Sequence, residues 1–310
     1  MEGCATTSRA LILVAAFLTL TIIVSGRAVA DEIEARRPTP SASPVPFSNP
    51  EVVSIRGYTQ DAEEPFISRD GNYLFFDNSN DPAKNANTDI FWATRIDEVT
   101  FQYQGPIAGV DTTTALEGVP SMDVNGVFYF VSPKNYTPPD YATIYSGIFS
   151  NGDVPSVALV PGISRMKAGR VNFDAEISAD GNTLYFVDSV FRDNQPKKAE
   201  IVIARKNGNT FVRDPRSAKI MARINTANLQ YAPDTSASEL EIFFTRITPT
   251  GTETLMAQRA DISLPFGKPE KIAAISGFSE APSISPDGKS LYYHHRDADG
   301  IFRVYRVTRP

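Results

Sequence analysis

Thiol chemistry is almost missing from this chain: Cys4 is the single cysteine among 310 residues. It lies in a segment read below as removable, so the mature protein has no disulfide, no thiolate metal ligand and no thiol nucleophile. Histidine is nearly as scarce, with only His294 and His295. Adjacent residues on a strand point to opposite faces, so these two do not converge on one zinc ion. A Ser–His–acid triad would have to use one of them, and no G-x-S-x-G turn, P-loop or G-x-G-x-x-G segment occurs. The chain has 30 basic and 36 acidic residues, spread without a Lys/Arg block. Nucleic acid and anionic lipid are therefore not expected as partners. The apolar run Ala10 to Val24 has 15 residues, short of the roughly 20 that span a bilayer.

What is present begins with an export device. Arg9 precedes that apolar run, and Ala28-Val29-Ala30 follows it with the small-x-small pattern of a signal-peptidase site. Residues 1–30 read as a signal peptide cleaved after Ala30, which leaves a formal charge of −7 and no transmembrane anchor. The expected destination is the periplasm or the outside of the cell. Residues 31–49 form a Pro/Ser-rich linker (RRPTPSASPVPFSNP, 36–50).

The rest of the chain, 50–310, repeats itself five times: EEPFISRDGNYLFF, EGVPSMDVNGVFYF, FDAEISADGNTLYF, YAPDTSASELEIFF and EAPSISPDGKSLYY. Pro65, Pro120, Ala175, Pro233 and Pro282 share a column, at spacings of 55, 55, 58 and 49 residues. Six residues on, the column holds Gly71, Gly126, Gly181, Glu239 and Gly288. A period near 50 with strand patterns and no helical one indicates small sheets arrayed about an axis. The class is all-β, a five-bladed β-propeller, with repeat cores at 63–95, 117–149, 173–206, 230–260 and 279–309.

In the third copy, 175–179 reads as a strand, Asp180-Gly181 as a tight turn, 183–187 and 199–205 as further strands, and 217–222 as a weak fourth. The second strands align as Leu74, Tyr129, Leu184, Ile242 and Leu291, then Phe75, Phe130, Tyr185, Phe243 and Tyr292, then Phe76, Val131, Phe186, Phe244 and Tyr293. Consecutive large apolar residues require cover on both faces, which neighbouring blades supply. The fourth copy has Ser238-Glu239 at its turn and is expected to turn differently. The chain stops after the third strand of copy five. PFSNPEVVSI (46–55) resembles LPFGKPEKIAAI (264–275), which feeds the outer strand of copy four. Residues 51–55 are therefore expected to be the outer strand of the last blade, so that the N-terminal segment closes the ring.

The pattern P-x-I-S-x-D-G-x-x-L-x-F/Y, followed by a strand such as DIFWATR (89–95), resembles the WD40-like, TolB-type (PD40) β-propeller repeat; Pro282 to Lys289 is very close to it. The resemblance covers about 50–310 and implies the fold. On activity it is nearly silent, because propellers host many functions. The separate N-terminal domain of TolB has no counterpart in these residues, so its cell-envelope role is not carried over. Five-bladed lectins and glycosidases share the blade number, but no motif of theirs stands out.

In a propeller the entrances to the inner strands and the loops between second and third strands open on one face. Each entrance here holds an acid: Glu63 and Glu64, Glu117, Asp174 and Glu176, Asp234, Glu280. They do not share a column. They read either as a carboxylate ring at the channel mouth, able to hold Ca²⁺ through oxygen ligands or to supply a glycosidase acid and nucleophile, or as solvated and Arg-paired loop ends. In the loops after the second strands, Tyr136, Tyr141 and Phe191, with Arg192 and Asp193 beside them, could stack on a sugar or peptide or could merely anchor the loops. Asn85 and Asn87 read as turn formers. Two functions are open. One is an exported module that recognises a protein or glycan of the cell envelope or exterior on the mouth face. The other is a carbohydrate-active hydrolase using a carboxylate pair.

Overall fold

The computed structural model describes residues 46–79, 87–192 and 195–310, and the expected signal peptide, most of the expected linker, Asn85 and Asp193 lie outside them. Five sheets, antiparallel apart from one parallel strand added to the first, form the five blades of a propeller. The inner strands are Glu63–Ile67, Gly118–Met122, Arg170–Ile177, Leu229–Thr235 and Ser279–Ile284. The second strands are Tyr73–Asp77, Val127–Val131, Thr183–Arg192, Glu241–Thr248 and Ser290–Arg296, and the third are Ile90–Asp97, Ile144–Ile148, Gln195–Asn207, Gly251–Gln258 and Phe302–Thr308.

Hydrogen-bond register corrects the alignment made on the turn glycines. Phe66 pairs with Phe75, but Ser121 pairs with Tyr129, because the second hairpin is one residue shorter. The true columns are Phe75, Tyr129, Tyr185, Phe243, Tyr292 and Phe76, Phe130, Phe186, Phe244, Tyr293. All ten are aromatic and none is more than 3 % exposed. Burying each contributes about 1.5–3 kcal/mol, and the partners lie across blade boundaries: Phe75 meets Phe128 at 5.2 Å and Tyr292 meets Phe101 at 6.3 Å.

The fourth copy does not turn differently. Glu239 takes the left-handed conformation (φ 56°) that Gly71, Gly181 and Gly288 take, and closes the same Ser236–Glu239 bond, 2.8 Å. The strain is offset because Glu239 is held: Tyr185 and Thr183 hydroxyls donate to its carboxylate at 2.7 and 3.2 Å, and Arg259 Nε donates to its carbonyl at 2.8 Å. The outer strand of the third blade is Thr210–Arg213, not 217–222; Gly208 (φ 60°) lets the chain double back early, and Ser217–Ile220 is a short helix.

The N-terminal segment does close the ring, by two strands instead of one. Ser48–Val52 pairs with Phe302–Thr308 as the outer strand of the last blade. The chain then crosses the seam, and Ser54–Arg56 runs parallel to Thr100–Pro106 as a fifth strand on the first blade. Glu51 and Glu98, one from each side, both bind Arg306, at 2.7 and 3.1 Å.

Candidate functional site

Every inner strand is broken at the same place. The register shifts between Glu63 and Phe66, Gly118 and Ser121, Phe173 and Glu176, Tyr231 and Asp234, and Glu280 and Ser283. In each bulge a non-glycine residue has positive φ: Glu64, Val119, Asp174, Ala232 and Ala281, at 46–57°. The Pro/Ala column follows and lines the axis. A bulge frees backbone N–H groups from the ladder, and a buried donor needs an acceptor.

The neighbouring blade provides it. His294 Nδ1 accepts the Glu64 N–H (3.0 Å), Asp77 that of Val119 (3.1 Å), Asp174 that of Ala232 (2.7 Å) and Thr245 Oγ1 that of Ala281 (3.1 Å). A second tier repeats the device. Ser283 accepts the Ile67 N–H, Ser121 that of Ile177 and Glu176 that of Thr235, at 3.0–3.2 Å. Two of the entrance acids, Asp174 and Glu176, are thus clasps between blades. The entrance acids do not form a ring at the mouth: Glu63, Glu64, Asp174, Glu176, Asp234 and Glu280 are all at most 8 % exposed.

The two tiers differ in charge. In the lower one Arg69 crosses the axis from the first blade and forms an ion pair with Glu176 of the third, donating also to the Ile177 carbonyl at 2.7 Å. Burial and the Glu176 charge push Asp234 well above the ordinary carboxylate range, against the pull of Arg69. In the upper tier burial, then the charges of Asp174, Asp77, Glu280 and Glu63, raise Glu64 well above that range. Burial raises Asp174 to about 7, helped by Glu280 and opposed by the Ala232 N–H. Glu280 accepts from the Tyr231 hydroxyl and lies 3.4 Å from His294 Nε2. The axial cavity lined by Glu64, Asp174, Glu176 and Asp234 measures only about 30 Å³.

Glu117 stands apart from the axis. With Asp89 and Asp111 it forms a group whose carboxylate oxygens lie within 4.8 Å of one another, at the junction of the first two blades. Burial raises Glu117 and brings Asp111 to about 7. Several of their oxygens have donors: Thr112 N–H and Ser132 Oγ for Glu117 (2.8 and 2.6 Å), the Ile90 N–H for one oxygen of Asp111 (3.0 Å) and Asn87 for Asp89 (2.7 Å), while Asp111 Oδ2 is buried with no partner among the described residues. These residue types could accept a hard cation, and the group was not visible as such in the sequence because its members sit 28 residues apart at most and on different elements.

The loop aromatics are anchors. Tyr136 is 4 % exposed, donates to the Arg170 carbonyl at 3.0 Å and meets Tyr141 edge-on at 5.2 Å. Tyr141 and Phe191 are half-buried against the same core, and of the residues proposed there only Arg192 is exposed. His294 and His295 face opposite ways, as their adjacency requires: His294 is fully buried between blades, and His295 Nδ1 meets Ser279 Oγ at 2.9 Å.

The roomiest concavity on the mouth face among those described was not anticipated. It holds about 710 Å³ at the seam of the first and last blades and is lined by Thr59, Gln60, Asp61, Asn78, Arg296 and Asp299, among others. Phe302 N–H donates to Asp61 at 2.8 Å, and Arg303 pairs with Asp299 at 2.7 Å, which holds the Asp299 carboxyl down at about 2. Gln60, Thr59 and Arg296 are exposed.

No family model and no curated protein sequence matches the chain. Among solved structures it is similar to a glycoside hydrolase (TM-score 0.60, 10 % identity, 86 % of this chain and 92 % of that one). It is also similar to Zg3597, a family 117 glycoside hydrolase of the marine bacterium Zobellia galactanivorans (0.55, 11 %, 85 % and 90 %). TolB from Acinetobacter baumannii superposes less closely (0.45, 16 %, 80 % and 55 %). At these identities the likeness defines the fold alone, a five-bladed β-propeller.

Proposed function

We propose that the protein is an exported binding module that recognises a glycan in the seam groove of the mouth face. One contrast carries this reading. The axial acids Glu64, Asp174, Glu176 and Asp234 are buried around a cavity of about 30 Å³, whereas ligand pockets usually measure about 300–1,000 Å³. A sugar ring does not reach Glu64 or Asp174. The seam groove, at about 710 Å³, is large enough and is lined with amide, hydroxyl and guanidinium groups suited to a polyhydroxyl ligand. Of its two carboxylates, Asp61 accepts a backbone N–H and Asp299 is held ionised beside Arg303, so Asp299 does not serve as the general acid a hydrolase needs. Export rests on the N-terminal sequence; among the described residues no helix is long and apolar enough to cross a membrane.

The test is a glycan array probed with the full-length protein and with Gln60→Ala and Arg296→Ala. The expected result is a defined set of glycans, retained intact, with affinity at least tenfold weaker in either variant. Binding of peptides alone would transfer the groove to a protein partner. Release of reducing sugar by the wild type would replace this reading with the hydrolase.

A further inference from the structure

The lower tier of the axis has its own cation, the Arg69 guanidinium, bonded to Glu176. The upper tier has no such counterion among the described residues that touches Glu64 or Asp174. Both residues line the same cavity, from the first and third blades, at equivalent bulge positions. Asp174 spends one oxygen on the Ala232 N–H. Glu64 is 92 % buried, and its Oε2 has no hydrogen-bond partner. An uncompensated buried carboxylate oxygen beside a cavity is costly. A cavity of about 30 Å³ exceeds the roughly 10–15 Å³ that one water needs, so it admits an ion with a water or two and nothing larger.

We propose that Glu64 and Asp174 hold one small divalent cation on the propeller axis, completed by water, in the role that Arg69 fills one tier below. The all-oxygen donor set selects a hard ion of the Ca²⁺ or Mg²⁺ type over zinc. The ion ties the first blade to the third across the channel, so its effect is on the ring's stability and it takes no part in glycan recognition at the seam.

The test uses full-length protein stripped with chelator and titrated separately with Ca²⁺ and Mg²⁺ at pH 8, read by thermal melting and calorimetry. One of the two ions is expected to raise Tm by roughly 5 °C at a hundredfold excess over its Kd. Glu64→Gln, with a native circular dichroism spectrum, is expected to bind at least tenfold more weakly, and Glu117→Gln as the wild type does. Should Glu64→Gln fail to fold, Asp174→Asn carries the same expectation. Absence of any heat or Tm shift with both ions overturns the proposal. So does loss of binding in Glu117→Gln with Glu64→Gln unaffected, which would move the ion to the Asp89–Asp111–Glu117 group.

Discussion

The upper and lower tiers of the axis are cut from the same five inner strands, only a residue or two apart, yet they handle buried charge in opposite ways. Below, Glu176 is saturated: Arg69, the Thr235 N–H and hydroxyl, and the Ser121 hydroxyl all donate to its two oxygens. Above, Glu64 and Asp174 line one small cavity, the Ala232 N–H is the donor to their side chains seen among the described residues, and both are pushed toward the protonated form. A propeller axis therefore does not have one electrostatic character. The clasp geometry demands acceptors on inner strands, and whether an acid acceptor becomes a structural tie or an unresolved charge depends on whether a cation reaches it.

The largest effect should come from removing the cation below. Arg69→Met leaves Glu176 and Asp234 buried without it and should lower stability by about 3–5 kcal/mol in urea melts. A cost under about 1 kcal/mol would mean that the two tiers do not differ as described. The next effect has the opposite sign. Asp174 titrates at about 7 in the fold against an ordinary 3.8. The native state thus holds the extra proton between those values, and the contribution of this group is whole below about pH 4 and lost as pH rises to about 7. Asp174→Asn keeps an oxygen for the Ala232 N–H and cannot ionise. With chelator present it should be more stable than the wild type at pH 8, by something of order 2 kcal/mol, with no gain at pH 4. A variant equally destabilised at both pH values would remove the upper-tier contrast. The smallest effect is Ser121→Ala, which orphans the Ile177 N–H and takes one of the donors to Glu176, at about 1–2 kcal/mol in the same melts.

Much of this fold could be read from residues. The Asp-Gly turns, the aromatic pair on each second strand and the borrowed N-terminal strand each follow from local chemistry. What escaped has physical causes too. One residue fewer in the Asp123–Val127 turn slides a whole blade's register, and a glycine-anchored alignment cannot detect that. Glu239 imitates glycine only because Tyr185 and Arg259, 54 and 20 residues away, hold it there. The entrance acids looked unrelated because they occupy two tiers of a bulged strand. The signal was nevertheless present: Ser121, Glu176, Asp234 and Ser283 share the column directly after the Pro/Ala column, and three of them are seen accepting from the next blade. The seam groove gave no signal, because its walls come from opposite ends of the chain.

The double duty of residues 48–56 bears on how the molecule is made. Ser48 pairs with Thr308, a separation of 260 residues. While the ribosome is still adding the middle sheets, the earliest-emerged ribbon has nowhere to dock on its antiparallel side, and the entropic toll of joining so distant partners falls on the final step. Inner wedges can assemble in order of synthesis, but the ring acquires its full resistance to unfolding only when the last strand arrives to receive the first.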